Sequence, residues 1–251
     1  TPDRSINILK AEMPGPTVDK LAPRAKDTAR ILYLIYIAMT ALEIVLLLLG
    51  GMSLFDSVVH ALSTAGTGGF GAYNATAANF SPYIQWVLTV FMFLFAINFN
   101  LFYLILLGRM RDVFRNTEFK AYLAIVLVSV AVITAEIMPL YRTFSDSLRQ
   151  AAFQVASIIS TTGFITADFT VWTPLSKVLL LGLMFVGGCA GSTAGGLKVS
   201  RVAILFKMMR RELRHTLRPR VVDVIKMDGR RLDEQTAHSV AVYFALYILS
   251  I

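Results

Sequence analysis

Cysteine is nearly absent, with Cys189 the single one in 251 residues. One thiol excludes an intrachain disulfide framework and cannot build a thiolate metal site. Histidine is scarce too. His60, His215 and His238 are scattered, with no metalloprotease-type His/Glu spacing, no nucleophile elbow and no ligand cluster. The chain therefore reads as a non-enzyme with no bound cofactor. Charge is the third shortage: 16% of residues are charged against 56% hydrophobic, where soluble domains carry about a quarter charged residues. The sequence also lacks an initiator Met and a cleavable signal peptide, and it stops within the apolar run 240–248. It reads as an internal piece of a longer membrane protein.

What charge there is sits between long apolar stretches. Residues 1–30 are polar and proline-rich (Pro2, Pro14, Pro16, Pro23) and read as a cytoplasmic segment. A span is expected from Ile31 to Gly50, long enough at about 1.5 Å per residue to cross a hydrocarbon core of about 30 Å. Met52 to Leu62 is too short and too polar to span. Ser53 is its expected N-cap, with Asp56 three residues on in a capping-box-like arrangement. The glycine-rich turn Ser63-Thr64-Ala65-Gly66-Thr67-Gly68-Gly69-Phe70-Gly71 follows, and then a full span over Pro82–Leu107.

After a basic cytoplasmic loop, 109–118, the pattern returns: a span over Phe119–Met138, a short helix over Asp146–Ile159, and the turn Ser160-Thr161-Thr162-Gly163-Phe164. A long apolar segment runs from Pro174 to Met209. As one helix it would reach about 54 Å, so the five glycines of 187–196 argue for a break. Irregular backbone at membrane depth needs protein or a water-filled cavity around it, so the break should face a pore and not lipid. A basic cytoplasmic segment, 210–235, and the start of a further, truncated span, 236–251, complete the chain. The fold class is all-α, polytopic membrane, built of two units (31–108 and 119–209), each a span, re-entrant helix, turn and span.

Of 24 Lys and Arg residues, 21 lie in the segments assigned to one side, and only Arg142, Arg149 and Lys177 on the other. The positive-inside rule places the basic side in the cytoplasm and both turns outside. The basic balance of +8 thus reports topology and not nucleic-acid binding.

A polar, glycine-bearing turn inside a membrane protein can aim carbonyl oxygens at a dehydrated cation, because glycine tolerates the backbone conformations this demands. One copy alone fits an extracellular hairpin; two copies in matching positions favour an ion filter. Its carbonyls are expected from Thr64, Ala65, Gly66 and Thr67 and from Thr161, Thr162, Gly163 and Phe164. Gly66 is taken to align with Gly163, giving one glycine per turn and weaker selectivity than a K+ channel's longer filter. Two nucleotide motifs fail on context. Gly66-x-Gly68-x-x-Gly71 has a helix before it and no acidic residue until Asp112, and the 191–198 run lacks the Gly-Lys-Ser/Thr of a phosphate loop.

Together, the stretches 52–56, 63–66, 160–164 and above all Gly187-Gly188-Cys189-Ala190-Gly191-Ser192-Thr193-Ala194-Gly195-Gly196-Leu197-Lys198 resemble the TrkH/KtrB potassium-uptake family, over nearly the whole chain. Ala194 stands where the family more often has glycine. The resemblance implies four channel-like units around one K+ pore in a bacterial inner membrane, this chain holding the second and third. It also implies an intramembrane gating loop (Gly187, Gly188, Gly191, Ser192, Thr193, Gly195, Gly196, Lys198), a homodimer, and a cytoplasmic nucleotide-binding regulatory ring of the TrkA/KtrA kind. The alternative is a secondary transporter built on inverted, broken-helix repeats; the basic loops put both units the same way up, which favours a pore.

Other polar residues are open between roles. Glu43 is either a structural hydrogen-bonding carboxyl or an ion attractor. Glu136 is expected at the outer interface, and Asn98 and Asn100 as interhelical glue. Lys198 either opposes cation passage at the inner mouth or snorkels to the interface. Arg210–Arg220 is expected to be a solvated basic helix facing lipid or a regulator.

Overall fold

A computed structural model describes residues 25–71, 77–218 and 225–249. Residues 1–24, most of the expected N-terminal segment, lie outside these, as do 72–76 in the loop after the first turn. Ten helices are present among the described residues, with one two-residue hairpin, Lys226–Met227 paired with Arg230–Arg231, inside the basic segment.

The first helix, α1 (Ala25–Leu49), has no Gly or Pro in its interior. Gly51 ends it at φ +85°, with Gly51 N–H bonded to Leu48 O and Met52 N–H to Leu47 O, a Schellman stop that only glycine adopts cheaply. The short helix α2 (Leu54–Ala65) starts on Ser53. Its Oγ accepts Asp56 N–H at 3.1 Å and donates to Asp56 Oδ2 at 2.8 Å. Thr143 and Asp146 repeat that device, at 3.1 and 2.7 Å, ahead of α7 (Phe144–Ile159). Each such cap contributes about 1 kcal/mol.

Between them lie α3 (Pro82–Phe95), α4 (Phe99–Leu106), α5 (Met110–Arg115) and α6 (Thr117–Ile137). After α7 come α8 (Pro174–Val186), α9 (Val199–Leu217) and α10 (Glu234–Leu249). The region expected as a loop at 109–118 thus holds a short helix. Ser81 and Thr173 cap α3 and α8 in the same way, each followed by a proline in the first turn.

The expected unbroken span over 82–107 is not what forms. Its two parts, α3 and α4, meet at 93°. No Gly or Pro stands at 96–98, so the usual signs of a kink are missing. The freed backbone groups are taken up by the glycine-rich loop and by Asn98, whose Oδ1 accepts Asn100 N–H at 2.9 Å. Asn98 caps α4, and its side chain also bonds Glu118 of α6, so it links helices as well.

Two helices, Ala29–Leu49 and Thr117–Leu140 with its terminal 3-10 turn, are long and apolar enough to cross a bilayer unbroken. Leu34, Ile37, Leu42 and Val45 of α1 and Leu127 and Val128 of α6 stand exposed on them. Such an apolar surface is what a bilayer-crossing helix carries, and the fold is a polytopic helical membrane fold. Inside, Phe95 is fully buried against Tyr36, Phe91 and Phe99. A second cluster joins Tyr122 and Ile133 of α6 to Trp172, Leu180 and Cys189. A third, around Ile204, Met227, Leu232 and Val240, docks the hairpin and α10 on α9.

Candidate functional site

Both short helices end in the same hydrogen-bond scheme. After α2, Gly66 N–H bonds Leu62 O, Thr67 N–H bonds Thr64 O and Gly68 N–H bonds Ser63 O, at 2.9, 3.1 and 2.7 Å. After α7, Ser160 N–H bonds Ala156 O, Thr161 N–H bonds Ile158 O and Thr162 N–H bonds Ser157 O, at 3.0, 3.0 and 2.9 Å. The dihedrals match as well. Thr67 and Gly69 have φ +51° and +70°, Thr161 and Gly163 +58° and +90°, and neither residue between them is left-handed. Alternating the hand of the backbone turns consecutive carbonyls toward one side of the turn.

This geometry corrects the register of the two turns. Gly163 corresponds to Gly69, and Thr161 to Thr67. The string Ser-Thr-x-Gly had paired Gly163 with Gly66. Gly66 is the C-cap of α2 at φ −86°, and Thr64 and Ala65 are buried in the last helical turn, Thr64 Oγ1 donating to His60 O at 2.9 Å. Of the four residues expected to present carbonyls in the first turn, Thr64 and Ala65 therefore belong to its helix and Gly66 is its cap. Gly68, Gly69 and Phe70 were missed. The signal that locates them is Thr-x-Gly-Phe, which occurs in both turns.

The turns pack on each other. A Cβ on Gly69 would strike the Thr162 carbonyl oxygen. The β-branched Thr67 and Thr161 sit in a region such residues rarely occupy, and both hydroxyls have partners in one place. Thr67 Oγ1 donates to Thr193 O at 3.2 Å, and Thr161 Oγ1 accepts Gly195 N–H at 2.7 Å. The 187–198 loop thus lies directly against both turns.

That loop is crossed and anchored. Gly187, Gly191, Gly196 and Lys198 all have positive φ. A Cβ on Gly187 would strike the Gly195 carbonyl, so the loop's ends touch. Val199 N–H bonds Gly188 O at 2.9 Å and Leu197 N–H bonds Phe185 O at 3.1 Å. Ser192 Oγ donates to Cys189 O at 2.6 Å. The other broken helix is threaded through these contacts. Cys189 N–H donates to Ala96 O at 2.8 Å, Phe99 N–H to Gly191 O at 3.1 Å, and Thr193 Oγ1 to Phe95 O at 3.2 Å. Lys198 turns back on the loop, its Nζ donating to Ala194 O.

The remaining candidates lie off this centre. Glu43 is fully buried between α1 and α2 beside Thr64. Glu136 is half-buried near the end of α6. Among the described residues no three His, Cys, Asp or Glu side chains are grouped to hold a metal.

A family model described as "TrkH: Cation transport protein" matches residues 3–251. The chain belongs to the TrkH family. Among curated relatives, the Trk system potassium uptake protein TrkH of Salmonella typhimurium is 38% identical over 249 residues. The protein of that name from Escherichia coli K12 is 37% identical over 250. Each alignment takes in 97% of this chain and 52% of the relative, so the chain spans about half the length of the TrkH proteins it matches. The crystal structure of the potassium transporter TrkH from Vibrio parahaemolyticus superimposes with a TM-score of 0.87 at 34% identity, covering 97% of this chain and 53% of that one. As a TrkH-family chain with helices long and apolar enough to cross a bilayer, this is an integral membrane protein.

Proposed function

We propose that the chain supplies two adjacent pore units of a K+-uptake pathway in a bacterial inner membrane. In it, Thr67–Phe70 and Thr161–Phe164 offer filter carbonyls and 187–198 is the gate beneath them. One observation carries this reading. Two turns of the same left-handed alternation lie side by side, and both hang a threonine on the same glycine-rich loop. Carbonyls held in that way can replace an ion's water shell. The C-terminal ends of α2 and α7 point partial negative charge at the same place. K+ is the cargo, and the chain needs no cofactor and does no catalysis.

Two units cannot encircle an ion alone, and the relatives' greater length leaves room for further units. The exposed arginines at the end of α9 (Arg210, Arg214) and its C-cap Arg218 form a face suited to the acidic surface of a cytoplasmic nucleotide-binding regulatory ring. The family resemblance supports that partner and a homodimer.

The test is tracer Rb+ uptake by the full-length protein in liposomes, against Na+. Gly163→Asp and Gly69→Asp are expected to abolish uptake while leaving insertion intact. Normal uptake by both would sink the proposal. Removing 191–195 is expected to raise resting flux.

A further inference from the structure

No motif draws attention to Glu118, yet it is the carboxyl with the most consequential contacts. It lies in the first turn of α6 and is 6% exposed. Among the described residues it forms no salt bridge. Its partners are backbone donors far along the chain. Oε1 accepts Ala190 N–H at 2.6 Å and Ser200 N–H at 3.1 Å. Ala190 lies just inside the start of the glycine-rich loop, and Ser200 in the first turn of α9, where helical N–H groups have no partner within the helix. One oxygen atom thus ties both ends of the loop to a span that lies outside the loop's own helices. The Asn98 side chain borders the same carboxyl from the other break.

One helical turn on, Tyr122 is buried and its hydroxyl donates to Phe93 O at 3.1 Å. That carbonyl has lost its ordinary helical donor, because Ile97 N–H bonds Leu94 O instead. A single face of α6 therefore fastens both interrupted helices, Tyr122 at one break and Glu118 at the other.

We propose that Glu118 is the latch of the 187–198 loop: its carboxyl oxygen, by accepting from Ala190 and Ser200 at once, holds the loop in the position under the two turns. It is a positioning residue and touches no ion. The proposal rests on reading the loop as a gate, but its physical content is where the loop sits, and that can be read separately. Cys189 is the reporter, being the only cysteine of the chain, fully buried, and next to Ala190.

The experiment measures labelling of Cys189 by a small maleimide in the full-length protein in liposomes, corrected with Cys189→Ser. Glu118→Ala is expected to raise the labelling rate by about tenfold or more, the scale of losing one charge-assisted hydrogen bond. Glu118→Gln, which retains an acceptor oxygen, is expected to restore most of the protection. Where the Ala variant does not insert, Glu118→Asp takes its place, since it withdraws the carboxyl by one methylene. A control cysteine replaces Ala156 in a Cys189→Ser background, a buried position in a different hydrophobic cluster from Cys189. Unchanged Cys189 labelling in an inserted Ala or Asp variant overturns the latch. So does a Gln variant as reactive as Ala, or an equal rise at position 156. Rb+ uptake by the same vesicles separates the two readings. Absent uptake in the wild type counts against the pathway alone, and unchanged labelling with intact uptake counts against the latch alone.

Discussion

The two repeated units share one backbone scheme and differ in almost everything around it. Their short helices have 12 and 16 residues, so the second is one turn longer at its N-terminal end. The helices that follow the turns break after similar lengths, 14 residues in α3 and 13 in α8. The first gap is 96–98 and the second is the whole of 187–198. In the first turn Ser63 Oγ accepts Phe70 N–H, whereas in the second Ser157 Oγ donates to Phe164 O, both at 2.6 Å. Phe70 is 78% exposed and Phe164 is fully buried, packed on His60 of the opposite unit. The two units share the turn, then, while its neighbours differ. The second turn is locked into the first unit's core, and the second break is a loop long enough to reach both turns.

The sharpest way to break this comparison is at the paired glycines. Gly69→Ala is expected to reduce uptake at least about tenfold more than Gly163→Ala. Both positions cost about 1–2 kcal/mol for left-handed backbone with a side chain, but only at Gly69 would the new Cβ strike another turn's carbonyl. Equal loss in Rb+ uptake would show that contact between the turns is unimportant.

Next come the phenylalanines. Phe164→Ala should destabilise the protein by about 3–5 kcal/mol. Phe70→Ala should change stability by less than about 0.5 kcal/mol. Thermal unfolding in detergent measures both, and a large loss at Phe70 would mean that it is covered in the whole protein.

The threonines should differ by less. Thr161→Val removes the acceptor of the exposed Gly195 N–H, at about 0.5–1.5 kcal/mol, whereas Thr67→Val strands only a carbonyl, which is easier to satisfy elsewhere. Hydrogen exchange at Gly195 should speed up in the first variant and stay near wild type in the second.

The smallest effect concerns the cap of the longer helix. The Thr143 hydroxyl, and after it the Arg149 charge, hold Asp146 below the ordinary carboxylate range. A depressed carboxyl stabilises the fold above its unfolded pKa, and that contribution is lost as pH falls through its lower folded value. Thr143→Val should therefore move the Asp146 midpoint up toward the ordinary range in a carboxyl-resolved NMR titration. An unmoved midpoint would refute the cap's part in it.

Much of this was legible in the residues. The spans over 31–50 and 119–138, the cap at Ser53 and the break at 187–196 all follow from composition and glycine placement. The register of the first turn was not, because Ser-Thr-Ala-Gly imitates Ser-Thr-Thr-Gly while α2 runs on through Ala65. The break at 96–98 left no sign either, since neither glycine nor proline marks it. Glu118 reads as one more charge at the edge of a basic loop.

The division has a physical basis. Hydrophobic length, N-caps and glycine conformations are local properties, so the sequence by itself determined a duplicated helical membrane unit with two glycine-bearing turns and one broken span. The tertiary structure decided which residues form each turn, where the second span breaks, and what holds the loop. Those outcomes depend on backbone hydrogen bonds between distant segments: Cys189 to Ala96, Phe99 to Gly191, Gly195 to Thr161, and Ala190 and Ser200 to Glu118. Inside a membrane each freed N–H or carbonyl must find such a partner, and no local pattern of side chains records which one it finds.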